Sequence, residues 1–298
     1  MPELKLRTVT RTQGNNRALK DGTVQPRSFA FHFEEVDPLI AAFRRMVRGN
    51  EFDICEMAIT TYICAKEHGK PMTAVPVFLV RAFHHGAILV NTRAGIRIPK
   101  DLEGKKVGVN RGYTVTTGVW ARSILQDEHG VDLSKITWVL SGDEHVAEYL
   151  APANVVPIEK SKSIGDRLSS GELAAAIGVE VNAPDVKPLI PNALEAGLAA
   201  LRQRGHYPIN HTVVIKDALI AAHPDLVATS SMLSRAPSAA MSRTSKPDGS
   251  RSRRRPMRCI AESWRSPAIR FPTALHPIAM CSRNSSAMRS RRVLSLSR

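Results

Sequence analysis

Three histidines lie where predicted strands meet loops, and imidazoles in such places could transfer protons. His85, preceded by His84, begins the run HHGAILV, His145 lies in GDEHV, and His211 lies in PINHTV. Imidazole titrates near neutral pH, which suits a general acid or base. Glu56, beside a predicted buried strand, could orient one of these histidines or act as a base itself. A structural hydrogen bond would explain each histidine equally well, but three at predicted loop edges favour a functional role for at least one.

The segment from Arg111 to Thr117 has the composition of an anion-binding turn. Its sequence, RGYTVTT, follows a predicted strand and enters a predicted helix. Backbone N–H groups at a helix start, several hydroxyls and a guanidinium together bind carboxylates. We therefore predict that Arg111, Gly112, Thr114, Thr116 and Thr117 hold a substrate. The alternative is an ordinary threonine N-cap beside a surface arginine.

A second, weaker set of ligand-binding candidates lies in the loop after the first strand. Arg11 or the asparagines Asn15 and Asn16 could hold the other end of a bound substrate. Asparagine also forms turns without any ligand, so the loop by itself does not decide between these roles. Histidine and carboxylate side chains could instead build a divalent-metal site, an alternative left open although no HxH or HExxH spacing supports it.

The elements that must position these residues alternate between strands and helices. LKLRTVT predicts an opening strand, LIAAFRRMV after Pro38 has apolar residues at helical spacing, and FDICEMA predicts a buried strand. TTYICAKEHG predicts the next helix, with Gly69 at its end, and VPVFLV and AILVN predict further strands. This alternation is typical of an α/β fold with a parallel sheet.

A second unit of the same kind begins at DLEGKKVGVN, and PINHTVVI resembles a strand that returns to the first unit. We predict one lobe from residues 1–98 and 205–228 and a second lobe from residues 99–204. Two crossings between the lobes would form a hinge, and a small ligand would bind in the cleft between them.

The net charge of +15 is concentrated at the C-terminus. Of the 42 basic and 27 acidic residues, 15 and 2 respectively lie within residues 229–298, which leaves a nearly neutral body of 27 and 25. A strongly basic chain would ordinarily suggest a nucleic-acid partner, but here that reading depends wholly on the tail. The N-terminal sequence MPELKLRTVT has no apolar run typical of a signal peptide, so we expect a cytoplasmic protein.

Residues 229–298 form a low-complexity basic tail that lacks helical or strand periodicity. Methionine and tryptophan have one codon each and constrain back-translation of this tail. With GC-rich codons chosen at the other positions, another frame gives approximately a string with amphipathic helical stretches and balanced charge. We therefore predict a frameshift near Ala228, which DNA sequencing of the region would test. A natural low-complexity arm is the alternative.

Several strings resemble the 4,5-dihydroxyphthalate decarboxylase family over residues 3 to 228. They are EFDICEMAITTYICAKEHGKPMTAVPVF, IPKDLEGKKVGV, GYTVTTGVWARSIL, SGDEHVAEY and YPINHTVV. That family is similar to the type II periplasmic binding proteins, and the thiamine-pyrimidine synthases are similar cytosolic proteins. The resemblance implies a two-lobed type II periplasmic-binding-protein-like fold with a hinge and an inter-lobe cleft.

The resemblance also implies a reaction, the decarboxylation of 4,5-dihydroxyphthalate, or a similar aromatic diacid, to protocatechuate and carbon dioxide in phthalate catabolism. Such a carboxy-lyase would need an acid, a base and carboxylate holders, but no cofactor. The expected partner is a small aromatic dicarboxylate, without nucleic acid or membrane and with homo-oligomers as an open alternative. The competing function is a cytosolic small-molecule binding protein, because the same fold also serves transport.

Overall fold

The computed structural model describes residues 4–26, 28–159 and 162–227, which form a mixed α/β fold with two sheets. The predicted tail and frameshift point lie outside these residues. The strands are β1 (Lys5–Val9), β2 (Ala30–Phe33), β3 (Ile54–Ala58), β4 (Met72–Arg81), β5 (Ile88–Asn91), β6 (Lys106–Val109), β7 (Thr137–Leu140), β8 (Val155–Pro157), β9 (Ala175–Ile177), β10 (Val186–Pro188) and β11 (Ile209–Lys216). The helices are α1 (Arg17–Lys20), α2 (Leu39–Gly49), α3 (Ile59–Glu67), α4 (Thr116–Ser123), α5 (Ile164–Ser170), α6 (Ala193–Arg204) and α7 (Asp217–Ala222).

The first sheet has the strand order β2-β1-β3-β11-β4. Strand β1 runs parallel to β2 and β3, whereas β11 runs antiparallel to both β3 and β4. All five residues of β3 are buried, as expected for a short apolar strand at the centre of a sheet. The predicted return strand PINHTVVI is thus confirmed as β11.

The second sheet has the order β10-β5-β9-β6-β7-β8. Strands β9, β6, β7 and β8 are parallel, and β5 runs antiparallel to β9 and β10. Both sheets are therefore mixed, which the prediction of a parallel sheet did not include. The reason is connectivity, because β5 and β11 enter their sheets from the other unit and so run against the neighbouring strands.

The chain crosses between the sheets twice. The first crossing, residues 82–87, joins β4 to β5, and the second, residues 189–208, joins β10 to β11 and contains α6. Sheet membership thus changes at residues 82–87, upstream of the lobe boundary predicted at residue 98. β5 belongs to the second sheet because its edges pair with β9 and β10. The assignment of whole domains stays a prediction.

The predicted helices form, and their ends follow the expected signals. Asn50, at the end of α2, has a left-handed φ of 49°, and Gly69, just after α3, has a φ of 67°. Helix α4 continues into a π-helical turn, Ile124–Glu128, which completes the predicted helix TTGVWARSILQDEHG. Within the described residues, no helix has the length and apolar character needed to cross a membrane.

One buried apolar cluster joins the two units. It contains Phe43 and Met46 from α2 and Met57 from β3, together with Val109 from β6 and Trp138 from β7. The carboxyl ends of the central strands of each sheet meet at this junction. Ligands of open α/β sheets bind at such strand ends, and the candidates Glu56, His145 and His211 lie here.

Candidate active site

A buried carboxylate and a histidine pair at the carboxyl end of the first sheet. Glu56 lies on β3 and is completely buried, and His211 lies on the neighbouring strand β11 with its side chain 20% exposed. The Glu56 Oε1 atom lies 2.6 Å from His211 Nδ1. A carboxylate only accepts hydrogen bonds, so this contact assigns the hydrogen to Nδ1 and leaves Nε2 of His211 free to accept a proton.

The loop after β1 completes the surroundings of this carboxylate. The backbone N–H of Arg11 donates to Glu56 Oε2 at 2.9 Å, and Gln13 Nε2 lies 3.4 Å from Oε1. Buried Asn16 holds the loop, since its amide donates to the Arg11 carbonyl and accepts from the Gln13 N–H. Asn15 donates to the Leu79 carbonyl, but its buried Oδ1 has no hydrogen-bond partner. The loop thus places the backbone of Arg11 against the Glu56–His211 pair, and Arg11 is itself exposed.

Phe43 lies between His211 and the second predicted histidine, His145. The Phe43 ring centroid is 5.3 Å from that of His211 and 6.1 Å from that of His145, both in edge contacts. Phe43 belongs to α2 and is 4% exposed. One buried aromatic ring therefore separates an imidazole of the first sheet from an imidazole of the segment that follows β7.

His145 is buried and neutral at pH 7. Burial, followed by the positive charge of Arg44 and then that of Arg111, lowers the pKa of His145 to about 4. Its Nδ1 lies 2.7 Å from Thr61 Oγ1, and its buried Nε2 has no hydrogen-bond partner. With that pKa, only about one molecule in a thousand carries a charged His145 at pH 7. His145 is therefore better suited to hydrogen bonding a ligand than to storing a proton.

The predicted anion-binding turn is present, but a carboxylate of the protein occupies its donors. Glu144 accepts from the Tyr113 N–H, from the Thr114 N–H at 3.0 Å and from the Thr114 hydroxyl at 2.5 Å. Gly112 packs so closely here that a Cβ would lie 2.9 Å from the Asp143 carbonyl oxygen. The backbone donors predicted to hold substrate thus hold Glu144 instead, because Glu144 follows the neighbouring strand β7 and reaches the same strand ends.

The remaining threonines of the turn also have protein partners. The Thr116 hydroxyl lies 2.8 Å from that of Thr60, and the Thr60 hydroxyl lies 2.7 Å from the Thr114 carbonyl oxygen. Thr60 is the second residue of α3, so these bonds join the two units. Thr117 packs on Gly178, whose added Cβ would meet its methyl group at 3.4 Å. Of the predicted group, only Arg111 presents an exposed side chain.

Ion pairs tie the segment around Glu144 to the first unit. Asp143 pairs with Arg44 at 2.7 Å and with Arg48 at 2.8 Å, both on α2. Arg48 also donates to the carbonyl oxygens of Glu144 and His145. The units are therefore held together where the two predicted proton-transfer residues His145 and His211 approach Phe43.

His84 and His85 lie in the first crossing and make different contacts. His85 is buried, and its Nε2 lies 3.1 Å from Glu128, which also pairs with Arg204 of α6. His84 lies 3.1 Å from Asn210 Oδ1, and burial lowers its pKa to about 4. These contacts link the two crossings and fit a structural role. The predicted functions of both residues stay predictions.

A cavity of about 730 Å³ opens at the carboxyl ends of the parallel strands of the second sheet. Asn110, Ser141 and Gly178 line it at the ends of β6, β7 and β9, and Lys162 and Glu180 contribute one charge of each sign. The Arg111 N–H donates to Ser141 Oγ at 2.7 Å, so Arg111 lies at the cavity's edge. The cavity has the size of a small-molecule pocket.

Phe43, Gln13 and Thr61 contact the predicted residues in the structure, but the sequence did not identify them as site residues. Phe43 follows the apolar spacing of α2, so its pattern indicates only a core position. Thr61 is one of several hydroxyls in a predicted helix. Among the described residues, no group of three or more histidine, cysteine or acidic side chains could hold a metal ion.

Comparison with known proteins gives two related results. The family described as NMT1/THI5 like matches residues 41–156. The chain is 31% identical to a 4,5-dihydroxyphthalate decarboxylase of Comamonas testosteroni over 244 residues, covering 75% of this chain and 72% of that protein. It is 35% identical to a Pseudomonas putida protein of the same name over 176 residues, covering 54% and 65% respectively.

Among solved structures, the chain resembles the periplasmic aliphatic sulphonate binding protein SsuA from Escherichia coli. The TM-score is 0.48 at 14% identity, with 78% of this chain and 72% of that chain covered.

Proposed function

Because the chain belongs to the 4,5-dihydroxyphthalate decarboxylase family, we propose that it removes one carboxylate from 4,5-dihydroxyphthalate as carbon dioxide and leaves protocatechuate. The observation that carries the residue assignment is the Glu56–His211 pair beside Arg11 at the junction of the two units. A histidine whose Nδ1 is held by a buried carboxylate presents Nε2 as a base.

The substrate itself supplies the electron sink for this reaction. Each carboxylate is para to a hydroxyl, so removing the proton of that hydroxyl directs electrons to the carbon that bears the carboxylate. A proton added at this carbon gives a cyclohexadienone. Loss of carbon dioxide then returns the bonding electrons to the ring. The dianion takes up one proton and yields a monoanion and carbon dioxide, so we expect no redox or metal cofactor.

We assign the base that acts on this hydroxyl to His211, with Glu56 holding its orientation and stabilising its protonated form. The protonated His211 can then return a proton. His145, neutral at pH 7 and buried, would support the site from the other side of Phe43 through its hydrogen bond with Thr61.

Two arginines are placed to hold a dianion at its two ends. Arg11 lies two residues after β1 of the first sheet, and Arg111 lies two residues after β6 of the second. Both side chains are exposed at the carboxyl ends of their strands. Guanidinium groups bind carboxylates through paired charge-assisted hydrogen bonds. We infer that the substrate spans the two units, in the cytoplasm, with its ring close to the cavity beside Arg111.

The test is conversion of 4,5-dihydroxyphthalate by the 298-residue chain in D2O, followed by chromatography and mass spectrometry. We expect protocatechuate with one deuterium on the carbon that lost the carboxylate. The His211→Asn variant keeps a donor near Nδ1 for Glu56 but lacks Nε2, and should lower kcat by roughly 100-fold or more. His32→Asn, at an exposed histidine, is the matched control.

Two outcomes would contradict the proposal. Tight binding of 4,5-dihydroxyphthalate without product would identify a binding protein instead of an enzyme. Full activity of His211→Asn would remove His211 from the reaction and leave only the family assignment.

A further inference from the structure

Arg111 has a backbone conformation that its side chain disfavours. Its φ is 72°, in the left-handed region. Among the described residues, the other non-glycine positions with positive φ are Asn50 and Asn192, at the ends of helices. Asparagine tolerates this region far better than arginine does. Arginine at a position that glycine would occupy without strain therefore indicates that its side chain has a use there.

The surrounding residues force this conformation from two sides. On one side, Glu144 accepts both consecutive N–H groups after Gly112 and the Thr114 hydroxyl, while Ser141 accepts the Arg111 N–H. On the other side, buried Arg122 donates to the Tyr113 carbonyl at 2.6 Å and lies 3.7 Å from the Tyr113 ring centroid. A turn held on both sides cannot relax when Arg111 meets a ligand.

The guanidinium that this turn positions is available for a ligand. The Arg111 side chain is exposed, and among the described residues it forms no salt bridge. By contrast, the nearby arginines of α2 both pair with Asp143. The strained turn thus places an arginine without a salt-bridge partner among the described residues beside Ser141, which lines the cavity at the carboxyl ends of β6 and β7.

We propose that Glu144 is a positioning residue, which acts through the turn 111–114 to direct the Arg111 guanidinium at one carboxylate of the substrate. This inference rests on the proposed function, because it takes an aromatic dicarboxylate as the ligand. It assigns to Glu144 a specificity role, since an internal carboxylate fills the backbone donors of the turn and leaves the Arg111 guanidinium as the group by which the turn binds an anion.

The experiment is a double-mutant cycle on the 298-residue chain with Arg111→Gly, Glu144→Ala and their combination. For each protein, the Kd of 4,5-dihydroxyphthalate is measured by calorimetry, and KM and kcat by product formation. Arg111→Gly should raise Kd and KM by roughly 10- to 100-fold while its Tm stays equal or rises, because glycine relieves the strained φ. If Arg111 had a merely structural role, its replacement by glycine would lower Tm.

Glu144→Ala should raise Kd and KM by roughly 10-fold, with kcat affected less, and the double variant should be no worse than Arg111→Gly alone. Glu144→Gln, which keeps one acceptor oxygen, should recover part of the affinity and serves if Glu144→Ala misfolds. The proposal would be overturned if the Kd increases of the two single variants multiplied in the double variant. It would also be overturned if Arg111→Gly kept the wild-type Kd.

The cycle separates this proposal from the proposed function. If the wild-type chain binds the dianion without converting it, the enzyme assignment fails, yet the Kd values still decide whether Glu144 acts through Arg111. If the wild-type chain does not bind the dianion, the role given to Arg111 fails as well.

Discussion

Replacing His145 with glutamine should make the folded protein less sensitive to acid. In the unfolded chain this imidazole has its ordinary pKa of 6.5, whereas burial lowers its pKa to about 4 in the folded state. Between those values the unfolded state binds more protons. The free energy of unfolding therefore falls as the pH falls through this window.

The expected magnitude follows from the two pKa values. At pH 5 the unfolded imidazole is almost fully protonated and the folded one is mostly neutral, which costs about 2 kcal/mol of stability for this single residue. The His145 side chain is 1% exposed, so solvent does not reduce this figure substantially. Glutamine retains a polar group near Thr61 but cannot titrate, so the variant should lack this loss.

Urea unfolding at pH 7 and pH 5, followed by tryptophan fluorescence, measures the difference. Trp138 is completely buried and should report the unfolding of the second unit. From pH 7 to pH 5, the free energy of unfolding of the wild-type chain should fall by about 2 kcal/mol more than that of His145→Gln. His32→Gln, at the surface, is the control. An equal loss in wild type and His145→Gln would refute the assignment of a buried, neutral imidazole.

Three further predictions concern other contacts. Glu56→Gln keeps the shape of the side chain but removes the charge that holds His211, so its free energy of unfolding should be lower by about 1–3 kcal/mol in a denaturation experiment. In that background, His211→Asn should lower kcat little further. Gly197→Ala would place a Cβ against the Phe83 ring, so a thermal melt should show a free energy of unfolding that is lower by about 1–3 kcal/mol. An unchanged Tm would contradict this packing. Asp143→Asn breaks ion pairs at a side chain that is 62% exposed. The free energy of unfolding should therefore fall by less than about 1 kcal/mol at low salt, and this difference should disappear at high salt.

Residue patterns along the chain were sufficient to predict most helices and strands and the types of side chain at their ends. Helical spacing of apolar residues predicted α2, because burial of one helix face leaves a repeat in the chain, and short apolar runs predicted β3, β6 and β11. The resemblance of residues 3 to 228 likewise predicted the family that the comparisons show. Arg111 was predicted as a site candidate because its turn combines a helix start with hydroxyls and a guanidinium, and His211 because it lies where a predicted strand meets a loop.

Which of these groups meet depends on the tertiary fold. Glu56 and His211 are 155 residues apart and pair because β11 returns between β3 and β4. Glu144 takes the donors predicted for the substrate because β7 lies next to β6. His85, similar to His211 in sequence context, pairs instead with Glu128 near the crossings. Hydrogen bonds and charge pairing act across strand neighbours, and strand order is a long-range property that local residue patterns do not encode.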